Sequence, residues 1–174
     1  MDIEFKGYNL TNPQKEMVLK ATSIALDSLI SKRMKKSLIL DIRIEKNLYE
    51  QSGVWGDILN EDGFERSPKH FEIRLNYSGK QSFATLVKTL CHELVHVAQF
   101  AERRLRHLSA SYAIGFLDKH YNSSEVDYDD RPWEIEAHEL EEGVFEYVKA
   151  NYTEIEEYFQ KTKGYEWGPS LKGH

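Results

Sequence analysis

Two histidines four residues apart, with a glutamate directly after the first, stand at His92-Glu93-Leu94-Val95-His96. On an α-helix four residues make one turn plus ~40°, so both imidazoles leave the same face and can share one metal ion. Neutral imidazole is a common zinc ligand. Glu93 projects beside the same position. Zinc lowers the pKa of a water that it binds, and a carboxylate placed there can take the proton as the oxygen attacks a polarised carbonyl. Two histidines alone would only bind metal. The intervening glutamate turns the pattern toward hydrolysis.

A catalytic zinc site needs three protein ligands and one open position. The third ligand has four candidates: Glu134 and Glu136, which lie 38 and 40 residues after His96, and His107 and His138. Glu134 and Glu136 are ~200° apart on a helix, so only one of them can face a given metal. The other should meet solvent or a basic partner such as Arg131. The ring N–H of each ligating histidine needs an acceptor, for which Glu139, Asp127, Asp129 and Asp130 are at hand. A developing oxyanion needs a donor, for which Tyr112, Tyr121, Tyr128, His120 and His138 are available. Tyr128 is preferred because it sits in the loop leading into the helix that bears Glu134.

The elements that must position these groups are legible in the hydrophobic pattern. Met17, Ala21, Ile24, Ala25 and Leu29 predict a helix over Pro13 to Ile30, capped by Thr11 or Asn12. Lys32 to Lys36 reads as a charged connector. Alternation predicts strands over Ser37 to Ile44 and His70 to Asn76. Val54 to Leu59 reads as a shorter strand, in which Gly53 and Gly56 are awkward. Phe83, Leu86, Leu90, Leu94, Val97 and Ala101 give the motif helix, Ser82 to about Leu105, its apolar face. A short helix is expected near Tyr112 to Lys119. A longer one should run from Pro132 to Lys149 with Asp130 as its cap, and a last one from Thr153 to Lys163. A loose tail is expected over 165–174, and the whole chain, 1–174, reads as a single domain.

The 174 residues hold 29 acidic and 23 basic side chains, for a formal net charge of -6. That balance speaks against binding nucleic acid through bulk positive charge, although Arg103, Arg104 and Arg106 form one tight basic cluster. Cys91 is the sole cysteine, so no intrachain disulfide and no cysteine-rich zinc ribbon can form. Beside His92 it raises the thought of a cysteine switch, but neighbouring helical side chains diverge by ~100°, and a buried structural thiol is expected. No secretory signal pattern opens the chain, and no apolar run approaches the ~20 residues of a membrane span. The expected location is cytoplasmic, including a host cytoplasm for a viral protein.

With His92-Glu93-x-x-His96 followed by Glu134-x-x-Ala137-His138, the chain resembles the small zincin metallopeptidases of the gluzincin type. The stretch Pro132-Trp-Glu-Ile-Glu-Ala137 is similar to short metallopeptidase-like proteins encoded by phages, and more distantly to the ImmA/IrrE group. The resemblance covers Phe83 to Leu140. It implies an α+β fold of minimal zincin-like layout, with a small twisted sheet of three to four strands and paired active-site helices. It implies a zinc metalloendopeptidase with His92, His96 and Glu134 as ligands and Glu93 as general base. Glu136, His138 and His107 follow in that order as third ligand. A peptide or protein substrate would lie along an edge strand, with His70 to Asn76 as that edge or its neighbour. Gln99 and Glu102 stand where the extended metzincin pattern has Gly and His. A SprT-like protease associated with nucleic acid, which would use a further histidine such as His107, and a zinc-binding regulatory module without turnover are the alternatives.

Overall fold

The computed structural model describes residues 1–7, 10–108 and 112–162. Two sheets and six α-helices are found among them, and the fold is α+β. The first sheet is mixed and four-stranded, in the order β1 (Asp2–Gly7), β2 (Ile39–Glu45), β4 (His70–Asn76), β3 (Gly56–Asn60). β1, β2 and β4 run parallel, while β3 pairs antiparallel with β4 and forms one edge. In β2 the expected alternation holds: Leu40, Ile42 and Ile44 are buried, and Ile39 and the polar residues between them are not. β4 is the neighbour of the edge strand, not the edge.

Helix α1 (Asn12–Leu29) crosses between β1 and β2. Thr11 caps it in a reciprocal box with Gln14, and Pro13 occupies the first turn. α4 (Phe83–Ala101) starts where the Ser82 side chain accepts a hydrogen bond from the Thr85 N–H. From Thr89 to Phe100 every residue of α4 is buried, because the helix is packed on β3 and β4 on one side and on α1 and α5 (Pro132–Asn151) on the other. Leu86, Leu90 and Leu94 are essentially fully buried, each contributing roughly 1.5–3 kcal/mol. The motif histidines are therefore carried on the best-anchored helix. α6 (Thr153–Lys161) closes the base, with Phe159 stacked on Phe145. No helix among the described residues is long and apolar enough to cross a membrane.

Several expectations need correction. The segment read as a short helix near Tyr112 to Lys119 is a hairpin of β6 (Ala113–Phe116) and β7 (Lys119–Asn122), extended by β5 (Leu105–His107) into a second, three-stranded sheet. Leu117 takes a positive φ of 54° in the turn, and Ile114 and Phe116 supply the buried residues. β5 takes over after α4 stops at Ala101. Lys32–Lys36 is a short helix, α2, capped by Ser31. A further short helix, α3 (Leu48–Ser52), precedes β3. Asp130 lies in a 3-10 turn (Tyr128–Asp130) and caps nothing; Arg131 is the N-cap of α5, without a side-chain bond, and Pro132 opens the helix. β1, not anticipated, adds a strand where the chain begins. The expected tail over 165–174 lies outside the described residues.

Candidate metal centre

α4 and α5 face each other with five buried polar side chains between them: His92, Glu93, His96, Gln99 and Glu134. Nε2 of His96 lies 3.2 Å from Oε2 of Glu134, and Nε2 of His92 lies 3.4 Å from the same oxygen. Zinc bonds of ~2.0–2.1 Å at tetrahedral angles separate ligand atoms by roughly 3.3 Å. The two imidazole rings are nearly perpendicular, with centroids 4.9 Å apart. Both distances to Glu134 match that separation, while the three residues whose ligand atoms all lie within 4.8 Å of one another are His92, Glu134 and His138.

The far sides of both rings are fixed as well. Nδ1 of His92 is 2.9 Å from Glu141 Oε2, and Nδ1 of His96 is 2.8 Å from Gln99 Oε1. Both acceptors can only accept, so each Nδ1 carries a proton and donates it. In the neutral tautomer this leaves the Nε2 lone pairs pointing toward Glu134, as a metal site requires. Gln99 is held in turn, its amide donating to the Trp133 carbonyl (2.9 Å) and to Glu136 (2.7 Å). Glu136 is paired with Arg104, not with Arg131. Arg131 donates to the carbonyls of Ser123 and Val126. The loser of the two glutamates therefore anchors the chain Arg104, Glu136, Gln99, His96.

These acceptors replace the ones expected. Glu139, Asp127, Asp129 and Asp130 are not the partners of the two rings; Glu141 and Gln99 are. Spacing held the clue: Gln99 is one helical turn after His96, and Glu141 is two turns after Glu134. Replacing Glu141 by Gln should weaken zinc binding by roughly 10–100-fold, the usual cost of losing such an orienting carboxylate. Competition with a chromophoric chelator would measure this, and unchanged affinity would remove Glu141 from the site.

Glu93 is buried beside this cluster, against the edge strand. A Cβ on Gly56 would lie 2.8 Å from Glu93 Oε1 and 2.8 Å from Thr89 Cγ2. The glycine that made β3 look doubtful is what lets the strand approach the carboxylate. Burial pushes the Glu93 carboxyl up to about 7, against the opposing pull of His92 and His96. Gly56→Ala should cost about 1–3 kcal/mol by overpacking and lower turnover by displacing Glu93. Gly143→Ala, where a Cβ meets open space, should leave turnover alone. Melting curves beside rate measurements test the pair, and equal behaviour would discount the close approach.

The Tyr128 hydroxyl donates a short hydrogen bond to Glu134 Oε2, so this residue does reach the site. Burial and the Glu134 charge push its pKa strongly up, which keeps the donor protonated. His138 lies one turn beyond Glu134, its ring 4.6 Å from that of His92. His92, Glu134 and His138 offer ligand atoms within 4.8 Å of one another. The remaining candidates are elsewhere. His107 stacks on Phe100 from β5, Tyr121 packs edge-on against Trp133, and Tyr112 and His120 are exposed. Cys91 is fully buried on α4, and burial pushes its thiol pKa far up.

Three carboxylates, Glu93, Glu134 and Glu141, meet three imidazoles, His92, His96 and His138. Burial opposes charge on His92, yet the bonds to Glu134 and Glu141 carry its pKa up to about 10. Burial likewise opposes charge on His96, and the Glu134 charge outweighs it. Glu134 is held well below the usual carboxylate range, because the His96 and His92 interactions outweigh its burial. No family model matches the sequence, and neither a curated protein nor a solved structure matches it.

Proposed function

We propose that the protein is a zinc-dependent metallopeptidase of the zincin kind, hydrolysing peptide bonds in the cytoplasm. The observation that carries this reading is the placement of the His92 and His96 Nε2 atoms 3.4 and 3.2 Å from one Glu134 oxygen, with Glu93 buried alongside. Zinc bound there supplies Lewis-acid polarisation of a carbonyl and acidifies water. Glu93 accepts the proton of the attacking water and passes it to the leaving amine. Tyr128 donates its hydroxyl proton to Glu134, and would have to swing from it to meet a developing oxyanion. β3 is the last strand of its sheet among the described residues and lies beside Glu93; an extended chain pairing on it favours a peptide over other carbonyl substrates.

A second reading rests on His138. Were it a fourth ligand, the site would be closed and would bind zinc without turnover. Elemental analysis of protein purified without an affinity tag, then a screen against a mixed peptide library, separates the possibilities. One zinc per chain with cleavage supports the peptidase. Zinc without cleavage, with cleavage appearing in His138→Ala, supports the closed site. Absence of zinc from folded protein, even after zinc is supplied, would sink both.

A further inference from the structure

The basic cluster at Arg103, Arg104 and Arg106 is dispersed by the fold. Arg104 holds Glu102 and Glu136, and Arg106 donates to the Leu117 carbonyl. Arg103 instead lines a recess of about 560 Å³ where β2 and β4 begin and α4 ends. Arg33 from α2 and Lys69, directly before β4, line the same recess. Among the described residues none of these three makes an ion pair. Arg43, Arg74 and Arg104 hold carboxylates, and Arg106 and Arg131 hold carbonyls; among the described residues Arg33, Arg66 and Arg103 hold neither, and two of those three line this recess. Glu102 is the one acidic residue in the lining, and its carboxylate is taken by Arg104.

Arg103 also has an unusual backbone. Its φ is 64°, in the left-handed region. Its N–H bonds to the Phe100 carbonyl, and the next N–H to Gln99, closing the end of α4. Glycine is the unstrained residue at this place. The negative end of α4 accounts for a cation near its own last turn. It does not account for Arg33 lining the same recess; Lys69 has the Asp62 carboxylate near it, which accepts the Lys69 backbone N–H.

We propose that this recess binds a phosphate-type oxyanion. Arg33 and Arg103 offer forked guanidinium donors, and Lys69 adds a point charge. Three cations from three separate parts of the chain line one concavity. Ala101, also in the lining, is five residues past His96, so the occupant sits ~8 Å further along the same helix axis. The site is independent of the metal reading, since it shares no residue with the zinc ligands.

The test titrates metal-stripped protein with inorganic phosphate, and separately with a thymidine oligonucleotide, by calorimetry at several NaCl concentrations. Stripping keeps phosphate from binding zinc instead. Saturable phosphate binding is expected. Arg103→Gly should weaken it about tenfold while leaving the melting temperature unchanged or raised, because the substitution removes a charge-assisted donor and relaxes the backbone. Lys69→Ala should weaken it similarly. Lys119→Ala, which removes one charge from β7, should not. Oligonucleotide binding with a log–log salt slope of about −2, the value for three phosphate contacts on a single strand, assigns the phosphate to a polymer backbone. Oligonucleotide binding no tighter than that of phosphate assigns it to a small ligand. Absence of saturable phosphate binding, or equal weakening in Lys119→Ala, overturns the proposal.

Discussion

Glu93→Gln is expected to leave one zinc per chain in place and to lower peptide hydrolysis by roughly 10²–10⁴-fold, the usual share of a general base. The amide matches the carboxylate in shape, so the close approach to Gly56 survives. What is lost is the ability to take a proton. Glu93 is buried beside the edge strand and the two imidazoles, and burial raises its pKa to about 7. That value suits a base working near neutrality, and a cation bound nearby would pull it down. Zinc content and cleavage rate must be measured on the same preparation. A variant with intact zinc and undiminished cleavage would rule out Glu93 as the base, whatever the metal does.

Glu134→Ala is expected to release zinc, with a loss of affinity beyond the roughly 10–100-fold that removing an orienting partner costs. The reason is that Glu134 Oε2 is the point where His92, His96 and Tyr128 converge. The pH dependence adds a second readout. In the metal-free protein the His92 pKa stands at about 10, its burial outweighed by Glu134 and Glu141. A ligating Nε2 must shed its proton, so zinc affinity should climb about tenfold per pH unit for each proton displaced, levelling off near that pKa. Without Glu134 the imidazole pKa falls, and the rise should level off at lower pH. Chelator competition across pH reads both effects. An Ala variant with wild-type affinity and pH profile would move the third ligand to His138.

The motif helix, the paired glutamate helix and two of the main strands were legible because each carries its own periodicity: period 3.6 from Phe83 to Ala101, period 2 from Leu38 to Ile44. Glu134 was legible only through resemblance, since spacing along the chain cannot tell it from Glu136. The partners Glu141 and Gln99 were not legible because chain proximity to Glu134 favours Glu139, Asp127, Asp129 and Asp130. A two-turn step along α5 was the relevant neighbourhood, as was an uncharged amide on α4. The hairpin around Leu117 was misread because its strands are four residues each, too short for alternation to register, and its turn uses a leucine at positive φ. β1 does alternate, with Ile3 and Phe5 between Asp2, Glu4 and Lys6, but only two apolar residues carry the pattern; its strand partner, β2, is thirty-seven residues away.

The single cysteine, packed out of reach on the helix that carries the metal motif, makes the protein its own stopwatch. Cys91 is fully enclosed by the core, and its thiol is held protonated by burial. Alkylating reagents can therefore modify it only when α4 leaves its packing, so the labelling rate in native buffer reports how often the core opens. Anything that binds the folded form alone slows that opening-dependent labelling by mass action. One thiol thus gives a direct count of openings with and without added zinc, with no substrate required.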